Sequence, residues 1–238
     1  IPTVASSSLT SAETEYGLNL SIEFWYNRTD TGEGIAGASA TYEIRNGSGD
    51  VILTGGLIEN LTVAGKYHFN MNSTVVVAAN RPQDVGTYTI YVTFGKAHHE
   101  SKTLVITWTV TVVWTIAYAQ PANVSMIWGY TETVGIYYNR KRDGVFIGGA
   151  AVDVTSTPSA PGGAFTVAES ADKYVLTIDG SLLTEETTYT VNITLSKQYY
   201  ETKYVIVRVD VSSIPTVASS SLTSAETEYG LNLSIEFW

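Results

Sequence analysis

The chain contains a copy of its own beginning. Residues 214–238 read IPTVASSSLTSAETEYGLNLSIEFW, which is letter for letter the sequence of residues 1–25. The repeat period is therefore 214 − 1 = 213 residues. A match of this length does not arise by chance, so the chain is a window on a tandem array. Arrays of near-identical units build length, and length is used in stalks, fibres and sheaths.

The 213-residue unit is itself made of two related halves. At an offset of 112, residues 3–38 align without a gap on residues 115–150. Near the end of each half the offset is 101, and residues 87–102 align on residues 188–203. The offsets differ by 112 − 101 = 11, so the first half carries about eleven extra residues, between positions 44 and 86. Each half has roughly the length of one β-sandwich, about 100 residues.

Alternation of apolar and polar residues predicts the strands. The first inward-facing set is Leu18, Leu20, Ile22, Phe24 and Tyr26. Later sets in the first half are Tyr88, Ile90, Val92 and Phe94, and then Leu104, Ile106, Trp108, Val110 and Val112. Their counterparts in the second half are Tyr189, Val191, Ile193 and Leu195, and then Val205, Val207, Val209 and Val211. No stretch keeps a 3.6-residue period over three turns, so the pattern favours an all-β sandwich fold.

Composition excludes several classes of function. The net charge is −10, which argues against nucleic acid and anionic membrane surfaces as partners. There is no Cys, so neither disulfides nor thiolate chemistry can contribute. The sequence has no run of about 18 apolar residues that would span a membrane. No signal peptide is visible, and we expect any such segment to lie upstream of this window.

One motif carries a resemblance to a known family. Asp84-Val85-Gly86-Thr87-Tyr88 resembles the Asp-x-Gly-x-Tyr signature that precedes strand F of immunoglobulin-like domains. In such domains the tyrosine hydroxyl closes a corner by bonding upstream backbone. The resemblance assigns this structural role to Asp84 and Tyr88, and to Tyr189 in the second half, where only the tyrosine is kept. The cysteine expected two residues later is Ile90 or Val191, which excludes antibody-type domains.

The wider pattern is similar to the tandem immunoglobulin-like repeats of large archaeal cell-surface glycoproteins. The shared features are a Tyr-Gly that opens a strand, a Gly-x-x-Ile-x-Gly-Ala turn at residues 32–38 and 144–150, and a later Lys-x-x-x-Glu. The resemblance implies tandem immunoglobulin-like β-sandwiches, two per 213-residue repeat. We predict domains at 1–113 and 114–213, with 214–238 forming the first strands of the next repeat.

Asparagine is the residue that points to a modification. Of 11 Asn, 8 open an Asn-x-Ser/Thr sequence. With Ser and Thr at 54 of 238 positions, chance would give two to three. Asn and Thr also favour turns and strand faces, but the enrichment indicates N-linked glycans outside the cell. The predicted sites are Asn19, Asn27, Asn46, Asn60, Asn72, Asn123, Asn192 and Asn232. Asn19 and Asn192 fall on outward faces of their strands and are the first candidates.

Three aromatic residues, Trp25, Tyr91 and Tyr137, also fall on outward strand positions. Exposed aromatics mark interfaces, so we expect contacts with neighbouring repeats or chains. A sugar-stacking surface is the alternative.

Residues for catalysis or metal binding are sparse. His98-His99-Glu100 has metal-ligand chemistry, but its counterpart is Tyr199-Tyr200-Glu201, which favours a surface turn. Asp143, Glu185 and Glu186 are the candidates for Ca²⁺ at a domain end. No phosphate loop or nucleophile motif is present. The sequence therefore predicts no enzymatic activity, no cofactor and no metal.

Together these features predict a structural repeat of an extracellular, cell-surface filament, sheath or stalk. The expected partners are neighbouring copies of the chain and N-linked glycans. The alternatives are the spacer of an adhesin and a carbohydrate-binding accessory module.

The first testable prediction is the axial repeat of the native assembly. A sandwich with strands of 7–10 residues is roughly 35–45 Å long, at about 3.3 Å per residue plus loops. If the two sandwiches of each repeat lie in line, we expect an axial spacing of roughly 70–90 Å per 213 residues. Electron microscopy of the native cell surface measures it, and a much shorter spacing would contradict the in-line arrangement.

Overall fold

The computed structural model describes residues 1–80, 84–217 and 234, and its secondary structure is dominated by strands. The elements of the first half are β1 (Thr3–Ser7), β2 (Ser11–Glu15), β3 (Asn19–Arg28), β4 (Ser39–Arg45), β5 (Val51–Gly56), β6 (Ile58–Glu59), β7 (Lys66–Asn72), α1 (Ser73–Ala79), β8 (Gly86–Gly95) and β9 (Lys102–Thr111). Those of the second half are β10 (Thr115–Gln120), β11 (Asn123–Ile127), β12 (Thr131–Arg140), β13 (Ala151–Thr157), β14 (Phe165–Glu169), β15 (Tyr174–Asp179), a 3₁₀ turn (Gly180–Leu182), β16 (Thr187–Ser196) and β17 (Lys203–Ser212).

Each half forms two sheets with the same strand order. In the first half the orders are β1-β3-β7-β6 and β2-β9-β8-β4-β5. In the second half they are β10-β12-β15-β14 and β11-β17-β16-β13. The internal repeat of the sequence is therefore a repeat of topology, with β5 added at one edge of the first half. The predicted fold class, all-β with tandem immunoglobulin-like sandwiches, is confirmed.

The opening segment of each half divides between both sheets. β1 pairs antiparallel with β3, with Thr3 opposite Arg28 and Ser7 opposite Phe24. β2 then pairs parallel with β9 in the other sheet. β1 is thus an edge strand of a sheet of its own half, because its antiparallel partner β3 belongs to the same half. In the copy of this segment, residues 214–217 are exposed and outside any strand, and the remainder lies outside the described residues, apart from residue 234.

The predicted inward faces form the core. The side chains of Ile22, Phe24 and Tyr26 are fully buried, as are those of Ile90 and Phe94. The counterpart set on β16 is equally buried. These faces bury large aliphatic and aromatic surfaces, which is the main stabilising contribution in a sandwich without disulfides.

Leu18 was predicted to face inward but is 39% exposed. It lies before β3, in the turn where its amide donates to the Glu15 carbonyl at 3.1 Å. Gly17 in this turn has φ +88°, a left-handed conformation that suits glycine. The alternation therefore begins one step later than the sequence indicated.

Much of the extra length of the first half becomes β5 and the short helix α1. Sequence analysis did not predict this helix, because three consecutive valines favour a strand and seven residues are too few to show a helical period. Asn72 caps it: the side-chain oxygen accepts a hydrogen bond from the Thr74 amide at 3.0 Å. Val76 and Val77 are buried against the core.

The Lys-x-x-x-Glu motif has a structural explanation. The Lys96 ammonium donates to the Ala36 carbonyl at 2.5 Å, and the Lys197 ammonium donates to the Gly148 carbonyl at 2.5 Å. Both acceptors lie in the predicted Gly-x-x-Ile-x-Gly-Ala turn. In the first half, Lys96 therefore links the turn after β8 to the turn before β4. In the second half, Lys197 links the turn after β16 to the turn before β13.

The turns after β8 and after β16 also bind the first residues of their own halves. The Glu100 amide donates to the Ile1 carbonyl at 3.0 Å, and the Glu201 amide donates to the Val113 carbonyl at 3.0 Å. Two residues later, the buried hydroxyls of Thr3 and Thr115 donate to the carbonyls of Glu100 and Glu201, at 2.8 and 3.0 Å. The beginning of each half is thus fixed to the turn between its last two strands.

By its contacts the chain divides into two compact units. The first comprises Ile1–Ile116 together with Asn139–Ala151 and Leu195–Lys203. The second comprises Ala117–Tyr138, Val152–Thr194 and the chain from Tyr204 onward. The domain limits at 113 and 213 stay a prediction. Among the described residues, no helix has the length and apolar character needed to cross a membrane.

The buried hydroxyl of Thr3 gives a test of the anchoring. Thr3→Val keeps the shape but removes the donor to Glu100, so we expect a loss of about 1 kcal/mol in the free energy of unfolding. Thr107→Val, at an exposed position on β9, should change it by less than about 0.5 kcal/mol. Urea denaturation followed by circular dichroism measures both. Equal effects of the two substitutions would contradict the anchoring.

Glu186 holds the last residue before the repeat restarts. Its carboxylate accepts from the Ser213 hydroxyl at 2.7 Å and from the Ser213 amide at 3.0 Å, and these bonds hold the pKa of Glu186 below its ordinary value. Because the folded-state pKa is lowered, the contact is present above the unfolded pKa and is lost as pH falls through the folded one. We expect the Ser213 amide NMR signal to titrate with a midpoint below the ordinary pKa of a glutamate carboxyl group. Glu186→Gln should abolish that titration, and a midpoint at or above the ordinary value would contradict the contact.

Candidate glycan-bearing and contact surfaces

An N-glycan is attached to the side-chain amide nitrogen of asparagine. The eight asparagines can therefore be distinguished by whether this nitrogen forms a hydrogen bond. Asn46 forms the turn between β4 and β5. Its side-chain oxygen accepts from the amides of Ser48 and Asp50, at 3.1 and 2.9 Å, and its nitrogen donates to Asn80 Oδ1 at 3.2 Å. The side chain of Asn46 is therefore held by hydrogen bonds in a local turn.

The side chains of Asn60 and Asn72 are also held by hydrogen bonds. Asn60 Oδ1 accepts from the Thr62 and Val63 amides, and Asn60 Nδ2 lies 3.1 Å from His68 Nε2. Asn72, the cap of α1, donates through Nδ2 to the Gly17 carbonyl at 3.0 Å and to Asn19 Oδ1 at 2.8 Å. A glycan at either nitrogen would replace these hydrogen bonds.

The other described sites differ in exposure. Asn19 and Asn123 are exposed at the first positions of β3 and β11. Asn192 is half-buried in β16, and Asn27 is half-buried near the end of β3. Among the described residues, the side-chain nitrogens of Asn19, Asn123 and Asn192 form no hydrogen bond. Asn232 lies outside the described residues.

The three outward aromatics lie on three different sheets and each carries a cation over its ring. Lys66 Nζ is 5.7 Å from the Trp25 ring centre, and the Arg45 guanidinium carbon is 5.1 Å from that of Tyr91. Lys173 Nζ is 5.9 Å from the Tyr137 ring, which also stacks on Tyr118 at 4.8 Å. All three are half-buried. The cations are supplied by the same unit, so part of each ring is already covered.

A shallow depression lies beside Tyr91 on the β5-β4-β8 face. It is lined by Thr41, Tyr42, Glu43, Arg45, Thr54, Gly55, Tyr91, Thr93 and Thr103. Arg45 Nε lies 2.5 Å from Glu43 Oε1, which leaves the guanidinium oriented along the face. The depression thus combines an aromatic ring with several hydroxyls and the charged pair Glu43 and Arg45.

The two corner tyrosines bond differently. The Tyr88 hydroxyl donates to the Asp84 carbonyl at 2.6 Å, across the turn into β8. The Tyr189 hydroxyl instead accepts from the Thr184 amide at 3.1 Å. Burial raises the pKa of Tyr88, so the hydroxyl keeps its proton as a donor. Loss of the Asp-x-Gly element in the second half is thus accompanied by a reversed hydrogen bond.

The residues with metal-ligand chemistry are held by other partners. The Glu100 carboxylate is 2.6 Å from Lys102 Nζ, and this hydrogen bond holds the pKa of Glu100 below its usual value. Asp143 is 3.0 Å from Arg140 and 3.5 Å from Arg142. Among the described residues, no group of three or more His, Asp or Glu is placed to hold a metal ion.

A contact surface that sequence analysis did not identify lies inside the first compact unit. Tyr199, from the turn after β16, stacks on Tyr16 with ring centres 4.1 Å apart and packs against the first hydrophobic core. Arg142 Nη1 lies 3.0 Å from the Glu15 carboxylate. The signal available in the sequence was the aromatic pair Tyr199-Tyr200 opposite His98-His99, which was interpreted only as a surface turn.

No protein-family model matches the chain, and no curated protein matches it. Solved structures do match. The titin domains I67–I69, in an E-to-A mutated variant, are 11% identical over 98% of this chain and 85% of that chain, with a TM-score of 0.35. Domains 4 and 5 of the S-layer protein SbsC are 20% identical over 73% and 77%, with a TM-score of 0.33. The Yersinia pseudotuberculosis adhesin InvE is 10% identical over 87% of this chain and 58% of that chain, with a TM-score of 0.34. The likeness concerns the fold alone.

Proposed function

We propose that this chain is a structural repeat of an extracellular filament, sheath or surface stalk, of the kind formed by archaeal cell-surface glycoproteins, and that it has no enzymatic activity. The observation that carries the proposal is the return of the first 25 residues at position 214, after two sandwiches of one topology. A unit that recurs with its fold intact adds a fixed length to a polymer each time it occurs.

Two further properties support a structural role outside the cell. The sandwiches contain no Cys, so their stability comes from the buried strand faces and does not depend on the redox state of the surroundings. The excess of glycan acceptor sequences fits an exposed surface, since glycans are added to secreted chains. Neighbouring copies of the chain are the partners that a polymer requires.

Two alternatives are retained. As the spacer of an adhesin, the same repeats would hold a binding domain away from the cell and would not associate laterally. As a carbohydrate-binding accessory module, the chain would use the surface beside Tyr91, where a ring and several hydroxyls share one face. Imaging of the native assembly separates the first proposal from both: a regular axial repeat supports the polymer, and isolated monomers at the cell surface contradict it.

Glycan mapping tests the extracellular placement. We expect modification at Asn19, Asn123 and Asn192, because their amide nitrogens are not engaged among the described residues. We expect little or none at Asn46, Asn60 and Asn72, whose nitrogens are hydrogen-bonded. Mass spectrometry of native peptides, before and after glycan removal, measures the occupancy. Unmodified Asn19 and Asn192 in native material would contradict the proposal.

A further inference from the structure

The turn that follows β8 and the turn that follows β16 have the same backbone but different surroundings. His98 and Tyr199 occupy equivalent positions and share a left-handed conformation, with φ of 65° and 67°. Tyr199 is half-buried because it stacks on Tyr16. His98 is exposed. One turn therefore has an aromatic partner in this chain, whereas the other presents its imidazole to solvent.

The surface that receives Tyr199 also has a counterpart, in the second unit. Trp128 stands where Tyr16 stands, at the offset of 112. The Tyr16 amide donates to the Thr111 carbonyl at 2.8 Å, and the Trp128 amide donates to the Ser212 carbonyl at 2.8 Å. The backbone framework around the receiving aromatic residue is thus reproduced at the end of β17.

A shallow depression of mixed polarity lies beside this second position. Tyr130 is 62% exposed, and it lines the depression together with Met126 and Ile127 and the polar residues Ser125, Glu132 and Ser212. Ile127 takes the place of Glu15, which binds Arg142 in the first unit. The Trp128 indole donates to the Leu183 carbonyl at 2.9 Å, which fixes the ring.

Chain connectivity identifies the occupant of this surface. In the first unit Val113, two residues after Thr111, bonds the turn: its amide donates to the Tyr199 carbonyl at 2.8 Å. Ile1 makes the same contact, since its nitrogen donates to the His98 carbonyl at 2.7 Å. Ile214 is the copy of Ile1 and lies two residues after Ser212. Two residues span at most about 7 Å.

We propose that the surface formed by Ile127, Trp128 and Tyr130 binds the turn around His98 of a second copy of the first half, with His98 in the place of Tyr199. The inference rests on the tandem array of the proposed function. When Ile214 makes the bonds that Ile1 makes, the His98 turn of the following copy is brought to Trp128 just as Val113 brings Tyr199 to Tyr16.

The two kinds of junction then differ in chemistry. One combines a Tyr16–Tyr199 stack with the ion pair of Glu15 and Arg142. The other combines Trp128 with His98, and the positions of the ion pair are Ile127 and Asp30. It has an aromatic contact but no opposite charges at these positions, so it depends on apolar packing and on the short connection between the copies.

The test uses the accessibility of His98 in a chain of two consecutive 213-residue repeats, joined as Ser213 is joined to Ile214 here. Diethyl pyrocarbonate acylates exposed imidazoles, and mass spectrometry follows the reaction at His98. In the 238-residue chain we expect a single phase. In the two-repeat chain we expect two phases of equal size, the slower by about tenfold, because the linked partner is present at an effective millimolar concentration.

Two substitutions complete the test. Ile127→Glu places a carboxylate at a half-buried position that faces Asp30 in the proposed junction, and it should return the slow phase to the fast rate. Tyr204→Ala, at an exposed position on the outward side of β17, should leave both phases unchanged. A single fast phase in the two-repeat chain, or a slow phase that Ile127→Glu does not affect, would overturn the inference.

The failure of this inference is distinguishable from that of the proposed function. A regular axial repeat in native material together with an unprotected His98 would overturn the junction and leave the structural array. A protected His98 without any axial repeat would support the junction and contradict the filament.

Discussion

The architecture depends on the hydrogen bonds that tie the first residues of each half to the turn between its last two strands. Ile1 and Thr3 bond to the turn at His98 and Glu100, 97 residues away. Val113 and Thr115 repeat the arrangement. A sandwich closed in this way has its beginning and its last hairpin at one place, so the chain leaves one half and is immediately fixed in the next. Contacts of such sequence separation carry a cost in loop-closure entropy, which slows folding.

This anchoring shortens the unbonded stretches of chain that follow β9 and β17. Val113 lies two residues after β9, and its amide donates to the Tyr199 carbonyl, so the chain after β9 is bonded to the turn after β16 within the first unit. Ser213 is held by Glu186 at the corresponding place before the repeat restarts.

Sequence alone predicted the fold class and most of the core, because a period of two is a direct consequence of strand geometry when one face is buried. Ile22, Phe24 and Tyr26 show this, with fully buried side chains. It did not predict α1, where β-branched residues form a helix because Asn72 caps it and the core takes Val76 and Val77. The contact of Tyr16 with Tyr199 was also missed, since residues 183 positions apart leave no local pattern.

The candidate sites were predicted less completely than the fold. An asparagine in an acceptor sequence looks the same whether its nitrogen is free or bonded, and only the structure separates Asn123 from Asn72. The outward aromatics lie on strands, and the cations above them come from elsewhere in the fold: Lys66 and Arg45 from neighbouring strands, and Lys173 from the turn between β14 and β15. Cross-strand neighbours such as Lys66 and Trp25 become visible only when the register is known.

The divergence of the two halves has a consequence for how such an array avoids errors during synthesis. β1 is an edge strand held by one neighbour, and its sequence returns at residues 216–220, so in a tandem array the β1 segments of different repeats would compete for the same partner. Misassembly between adjacent like domains is a characteristic failure of repeat proteins. Here the adjacent half has β10 in that role, with a different sequence, and the copy of the β1 sequence is a full 213 residues away. The alternation of two unlike sandwiches therefore keeps identical edge-strand sequences far apart along the chain, which lowers the chance that they pair wrongly.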